Sequence, residues 1–158
     1  MTPEQYQTLA NHIRANTDPL VVAALPLRND GQIQEWYNVD STFVVWRSSL
    51  TGEQARDAIT NGDGLAQLDN LTAGKRDSLL WVFGGNTNPS NATQRAAIAD
   101  LCGTQNALKA AILAAQKRLA NRAEAVYATG TGTTAVPGIL GWEGQLSVND
   151  VSTALNNY

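Results

Sequence analysis

Along most of this sequence, apolar side chains recur at steps of three and four residues, the spacing that gathers them on one face of a helix. Thr2 and Gln5 form a capping-box pair around Pro3, and Tyr6, Leu9, Ala10 and Ile13 follow as a stripe, so residues 3–15 are predicted to be an amphipathic helix. Asp18-Pro19 breaks it, residues 19–26 make a short apolar helical turn, and Asn29-Asp30 caps a third piece in which Ile33, Trp36 and Tyr37 share a face. Thr42-Phe43-Val44-Val45-Trp46 is short, aromatic and β-branched, which predicts an extended segment packed on the core or one strand of a small sheet. Thr51 and Gln54 repeat the capping box and open a helix to about Thr60, ended by the turn Asn61-Gly62-Asp63-Gly64.

The second half continues in the same way. Leu71, Leu79, Val82 and Phe83 return at helical spacing before Gly84-Gly85, with Trp81 expected in the core. Asn88-Pro89 is predicted to start a helix that runs to Cys102 and stops at Gly103. From Thr104 the pattern Leu108, Ile112, Ala115, Leu119, Val126, with one skipped turn, predicts the longest helix, a rod of roughly 34 Å at about 1.5 Å per residue. A Gly/Thr loop follows at 128–138. Ile139-Leu140-Gly141-Trp142 and Gln145-Leu146-Ser147-Val148 then flank Glu143-Gly144 as a two-residue hairpin, and Asn149 caps a last short helix. The expected fold is mainly α, a helical bundle with one long helix and a small β-hairpin near the C-terminus, in a single domain over residues 1–158.

Composition narrows the function. Charged residues make up 16% of the 158, well below the roughly 25% usual in soluble domains, and neutral polar residues fill the gap. Such a surface loses little on desolvation, which suits a protein built into a larger assembly. The net charge of −3 and a pI near 5.0 disfavour nucleic-acid binding, which draws on clustered Lys and Arg. The N-terminal residues lack the basic and apolar regions of a signal peptide, and no run reaches the length of a membrane span, so synthesis in a cytoplasm is expected.

Candidate chemistry is sparse. His12 is the lone histidine and Cys102 the lone cysteine, so neither a His-based catalytic pair nor a zinc site has its partners, and Cys102 reads as a small buried hydrophobe. The stretch at 61–64 lacks the downstream Glu of a calcium loop. Gly130-Thr131-Gly132-Thr133-Thr134-Ala135 matches GxGxxA, but a dinucleotide site needs that loop to leave a strand and open a helix. Here it is expected to leave a long helix and meet Pro137-Gly138. No catalytic residue, cofactor or metal is therefore expected.

Protein contacts are the better prospect. Lys117, Arg118 and Arg122 cluster with Lys109 on the expected long helix, as a solvated face or as a surface for an acidic partner. Ile139, Leu140, Trp142, Leu146 and Val148 put five large apolar side chains into ten residues of a ribbon with two faces. One face is expected on the helices and part of the other on a neighbouring chain.

Three stretches carry a family likeness: Asp30 to Asn38 with its Trp-Tyr-Asn; Leu68-Asp69-Asn70-Leu71-Thr72-Ala73-Gly74-Lys75 followed by Trp81; and Lys117-Arg118-Leu119-Ala120-Asn121-Arg122-Ala123-Glu124 leading into Ala128-Thr129-Gly130-Thr131-Gly132. Glu143-Gly144 and Asp150-Val151 fit as well. From Asn29 onward the chain resembles small virion structural proteins of tailed bacteriophages, and most of all the head-to-tail adaptor of the neck. The resemblance implies a ring, twelve-fold in that family, placed between portal and tail or nozzle proteins in the virion. DNA would pass through its channel without specific binding, and no membrane would be involved. Another virion component, a tail terminator or a capsid-associated protein, is the alternative within the class, and a nucleotide-binding enzyme the alternative outside it.

Overall fold

The computed structural model describes residues 1–61 and 64–158. Gly62 and Asp63, and with them the middle of the expected turn at 61–64, lie outside the described residues. Local signals open most of the helices. In α1 (Pro3–Arg14) Thr2 and Gln5 cap each other reciprocally, and Asp18 and Asn29 cap α2 (Pro19–Ala24) and α3 (Asp30–Asn38). The β-branched run becomes β1 (Asp40–Trp46), and a second capping box at Thr51 and Gln54 opens α4 (Gly52–Thr60). There follow α5 (Gly64–Leu68), α6 (Ala73–Val82), α7 (Ala92–Cys102), α8 (Asn106–Ala115), β2 (Lys117–Asn121) and α9 (Arg122–Tyr127). The chain ends with β3 (Ala128–Thr129), β4 (Ile139–Leu140) and α10 (Val148–Asn157). The fold is mainly helical, with two small antiparallel sheets, β1 with β2 and β3 with β4.

Two compact units divide the chain, one of residues 1–45 and 119–158, the other of residues 46–118. In the first, Leu9, Ile13, Val21, Ile33, Tyr37, Leu146 and Val151 form the core, together with Ala123 of α9. Polar clamps fix its edges. Asn38 holds Leu146 from both sides, its Nδ2 donating to the Leu146 carbonyl at 2.9 Å and its Oδ1 accepting from the Leu146 N–H at 2.8 Å. The Tyr6 hydroxyl donates to Asp150 at 2.8 Å and the Tyr127 hydroxyl to the Gln5 carbonyl at 2.8 Å, which ties both ends of the chain to one core.

In the second unit, Leu50, Ala55 and Ile59 pack with Leu79, Phe83, Ile98, Leu108 and Ile112. Cys102 is buried among them, in the packing role its sequence setting predicts. The first N–H groups of α8 receive no side-chain cap from Gln105. Gln67 supplies it across the unit, its Oε1 accepting from Ala107 N–H at 2.8 Å and Leu108 N–H at 3.1 Å. At the other end of α8, Gln116 is 1% exposed, and its amide oxygen and nitrogen have no hydrogen-bond partner among the described residues. An unsatisfied buried amide costs about 1–3 kcal/mol. Gln116→Met, similar in volume but apolar, is expected to raise stability by about 1 kcal/mol in urea unfolding. A loss of stability would show that the amide has a partner.

The structure corrects several expectations. The long helix stops at Ala115: residues 117–121 pair with β1 instead, and Asn121 with Glu124 restarts a helix through a third capping box. Pairing and capping together override the good helix propensity of Lys117, Arg118, Leu119 and Ala120. Helix α7 begins three residues beyond Pro89, because Asn88 turns on Ser90 N–H at 3.0 Å and Asn91 is the residue that caps. The expected hairpin at 139–148 does not form. Its first arm pairs with β3, Ala128 opposite Leu140 and Thr129 opposite Ile139, while Ser147 and Asp150 build a fourth capping box that draws Val148 into α10. Trp81, expected in the core, is 82% exposed.

Candidate functional site

The residues singled out for protein contact are dispersed by the fold. Lys117 and Arg118 lie on β2 and Arg122 at the start of α9, so they share no helix face with Lys109. Arg122 stacks on Trp36, 4.1 Å from the ring centroid, and donates to the Trp36 carbonyl at 3.2 Å. Trp46 carries two cations, Arg95 at 4.2 Å and Lys117 at 5.3 Å from its centroid. Of the five apolar candidates, Leu146 is in the core of its own unit, and Trp142 packs edge-on against Tyr127 at 5.7 Å. Leu140 is half-buried in β4, while Ile139 and Val148 are exposed.

What stands out instead is the loop between β3 and β4. Its two ends are fixed on β1: the Gly132 carbonyl accepts from Val44 N–H at 2.8 Å, and Gly138 N–H donates to the Val44 carbonyl at 2.9 Å. Both anchor positions demand glycine. Gly132 has φ +64 and faces the Phe43 ring, into which any Cβ would run, and a Cβ on Gly138 would meet the Thr129 carbonyl at 2.7 Å. Between the anchors the chain makes a self-bonded turn. Val136 N–H donates to Thr133 Oγ1 at 3.0 Å, Thr133 N–H to the Val136 carbonyl at 3.2 Å, and Thr131 Oγ1 to the same carbonyl at 3.0 Å. Residues 133–136 are all exposed, Val136 at 57%. After Gly138 the loop enters β4 rather than a helix, so GxGxxA here lacks the helix N-terminus that a pyrophosphate would face.

The second unit contains an apolar groove of about 640 Å³ between α6, α7 and the turn that joins them. Val82, Ala97, Ile98 and Leu101 form its walls, with Trp81 and Gln94 among the residues around it, and none of its lining residues is charged. Periodicity could have placed Trp81 off the core face of α6. Leu79, Val82 and Phe83 define one face of α6, and Trp81 lies about 200° around the helix from Leu79.

His12 belongs to a cleft with Asn16, Asp18 and Trp36 in the first unit. Asn16 Nδ2 donates to the Tyr37 hydroxyl oxygen at 3.2 Å, and the same hydroxyl shares a hydrogen bond of 2.7 Å with His12 Nδ1. Burial holds the His12 pKa below its usual value and pushes Tyr37 up to about 12. A histidine kept neutral by folding stabilises above its unfolded pKa and loses that contribution as pH falls through the lower, folded value. Urea unfolding is therefore expected to show a stability decline from pH 7 to 5 that is smaller in His12→Gln. Equal slopes would remove His12 as the cause.

Among the described residues, no group of three His, Cys, Asp or Glu side chains is placed to hold a metal ion, and no helix is long and apolar enough to cross a membrane. Comparison with protein-family models, curated proteins and solved structures gives no match.

Proposed function

We propose that this chain is a structural protein of a tailed-bacteriophage virion, acting in the neck as the head-to-tail adaptor that joins portal to tail. The observation that carries the reading is its build: 56% helix in short helices, with two small sheets among the described residues. A tail terminator or capsid-associated protein would be expected to carry a larger sheet, so this build favours the adaptor among virion components. The sequence likeness of residues 30–38, 68–75 and 117–132 points the same way, and the charge-poor surface suits burial between subunits. In this reading the loop before β4, with Ile139 and Val148 beside the ordered core, faces neighbouring subunits. Portal and tail or nozzle proteins are its partners in the virion.

The test is light scattering and electron microscopy of the purified chain, alone and with portal rings encoded in the same genome. A monomer or weak oligomer that becomes a ring on the portal supports the reading. A tight dimer indifferent to portal counts against it. Equilibrium binding of a labelled nucleotide tests the enzyme alternative, which requires saturable binding abolished by changes at Gly130 and Gly132.

A further inference from the structure

We propose that Arg95, Lys109 and Gln116 form a carboxylate-binding site in the second unit, one that takes an Asp or Glu side chain from an acidic segment of a partner protein. The three line one narrow cleft between α7 and α8, together with the apolar Ile98, Cys102 and Ile112. Gln116, just past the end of α8, is the residue that points to a ligand. It is 1% exposed, and neither its Nε2 nor its Oε1 has a hydrogen-bond partner among the described residues. As the side chains stand, the cleft is too tight for a water molecule, so solvent has no ready route through it to the amide. A buried amide without partners costs stability in the free protein. Keeping such a residue fits a role in binding, where function is set against stability.

The two cations give the sign of the ligand. Neither Arg95 nor Lys109 forms an ion pair among the described residues. Arg95 is already oriented: it stacks on Trp46, 4.2 Å from the ring centroid, and its Nη1 donates to the Pro89 carbonyl. That leaves the N–H groups of Nε and Nη2 for a ligand. Burial lowers the Arg95 pKa, and an anion in the cleft would favour the charged form again. Lys109 is the wall that can move, since its four-carbon stem lets the ammonium swing aside and follow an entering anion. A carboxylate suits this cleft best. It is flat, it matches the guanidinium fork, and it can accept from Gln116 Nε2 as well. Phosphate is tetrahedral and wider, and a nucleic acid would meet a chain of net charge −3.

The test is calorimetry of the full-length chain with a hexaglutamate peptide at low ionic strength, beside inorganic phosphate and a single-stranded oligonucleotide. Saturable peptide binding is expected, tighter than that of either other probe, and weaker by about tenfold or more in Gln116→Met and in Lys109→Met. Gln116→Met is the sharper variant because it should also be more stable in urea than wild type. Weaker binding by a more stable chain does not come from unfolding. If Gln116→Met folds poorly, Lys109→Met, at a half-buried position of α8, carries the test alone. Arg14→Gln removes one charge from the first unit and should bind as wild type does, which separates a built site from general attraction. Equal affinity in wild type and both site variants, no peptide binding, or tighter binding of phosphate or oligonucleotide would overturn the proposal. The site belongs to the second unit alone, so it stands or falls independently of the adaptor role.

Discussion

Glu124→Ala should destabilise the first unit by about 3–4 kcal/mol, one of the two largest effects expected in the chain. Glu124 is 3% exposed and begins as a local feature, the fourth residue of the capping box opened by Asn121. Its carboxylate accepts from Asn121 N–H at 3.0 Å, while Asn121 Oδ1 accepts from Glu124 N–H at 2.7 Å. It also reaches across the unit. The second oxygen accepts from Gly144 N–H at 3.0 Å, and Asn121 Nδ2 donates to the Gly144 carbonyl at 2.7 Å. One capping box thus clamps the segment that leads from Trp142 to the buried Leu146. Truncation would leave two backbone donors without acceptors and a void where a carboxylate was, and the melting temperature should fall by about 10 °C. Hydrogen exchange at Gly144 should accelerate most. Glu124→Gln, which keeps one acceptor, is expected to lose less. A loss below about 1 kcal/mol for the alanine variant would mean that water replaces the carboxylate freely.

Gly52→Ala is the second large effect, and here local and tertiary reasoning give opposite signs. Gly52 opens α4 directly after its cap, Thr51, where alanine is the better helix former by up to about 1 kcal/mol. A Cβ at this position, however, would overlap the backbone carbonyl of Phe83, which also accepts from the Arg56 guanidinium at 3.3 Å. The carbonyl has little room to yield. Leu50 and Thr87 exchange backbone hydrogen bonds at 2.9 Å in both directions, which fixes the chain before α4 to the chain after α6. Overpacking against backbone outweighs the propensity gain, so a net loss of about 2–3 kcal/mol is expected, read as a lower urea midpoint at unchanged slope. A stabilised variant would show that α4 and the Phe83 turn can separate at little cost.

The contrast at Gly52 is the general pattern of this molecule. Signals confined to four or five residues were legible in the sequence: the boxes at Thr2 and Thr51, the caps at Asp18 and Asn29, the β-branched run of β1, the glycine stop at Gly103 and the burial of Cys102. Each depends on a side chain meeting backbone one turn away or on a stripe facing one core, so no distant information is needed. Asn121 and Glu124 were legible in the same way, but the helical run from Leu108 to Val126 hid them.

Only the tertiary structure decided the rest. Residues 117–121 have the propensity of a helix and become a strand because β1 offers them a ladder, a partner about seventy residues away in sequence. Leu146 and Val148 alternate as a strand would, yet Asn38 captures the first and Ser147 with Asp150 winds the second into α10. The turn and groove were invisible for the same reason. The glycines at 132 and 138 acquire meaning through Phe43 and Val44, and the groove beside Trp81 exists only where α7 packs against α6. Spacing along the chain determines which residues form helices and caps. Which surface remains open for a partner is set by non-local pairing and packing, which spacing does not encode.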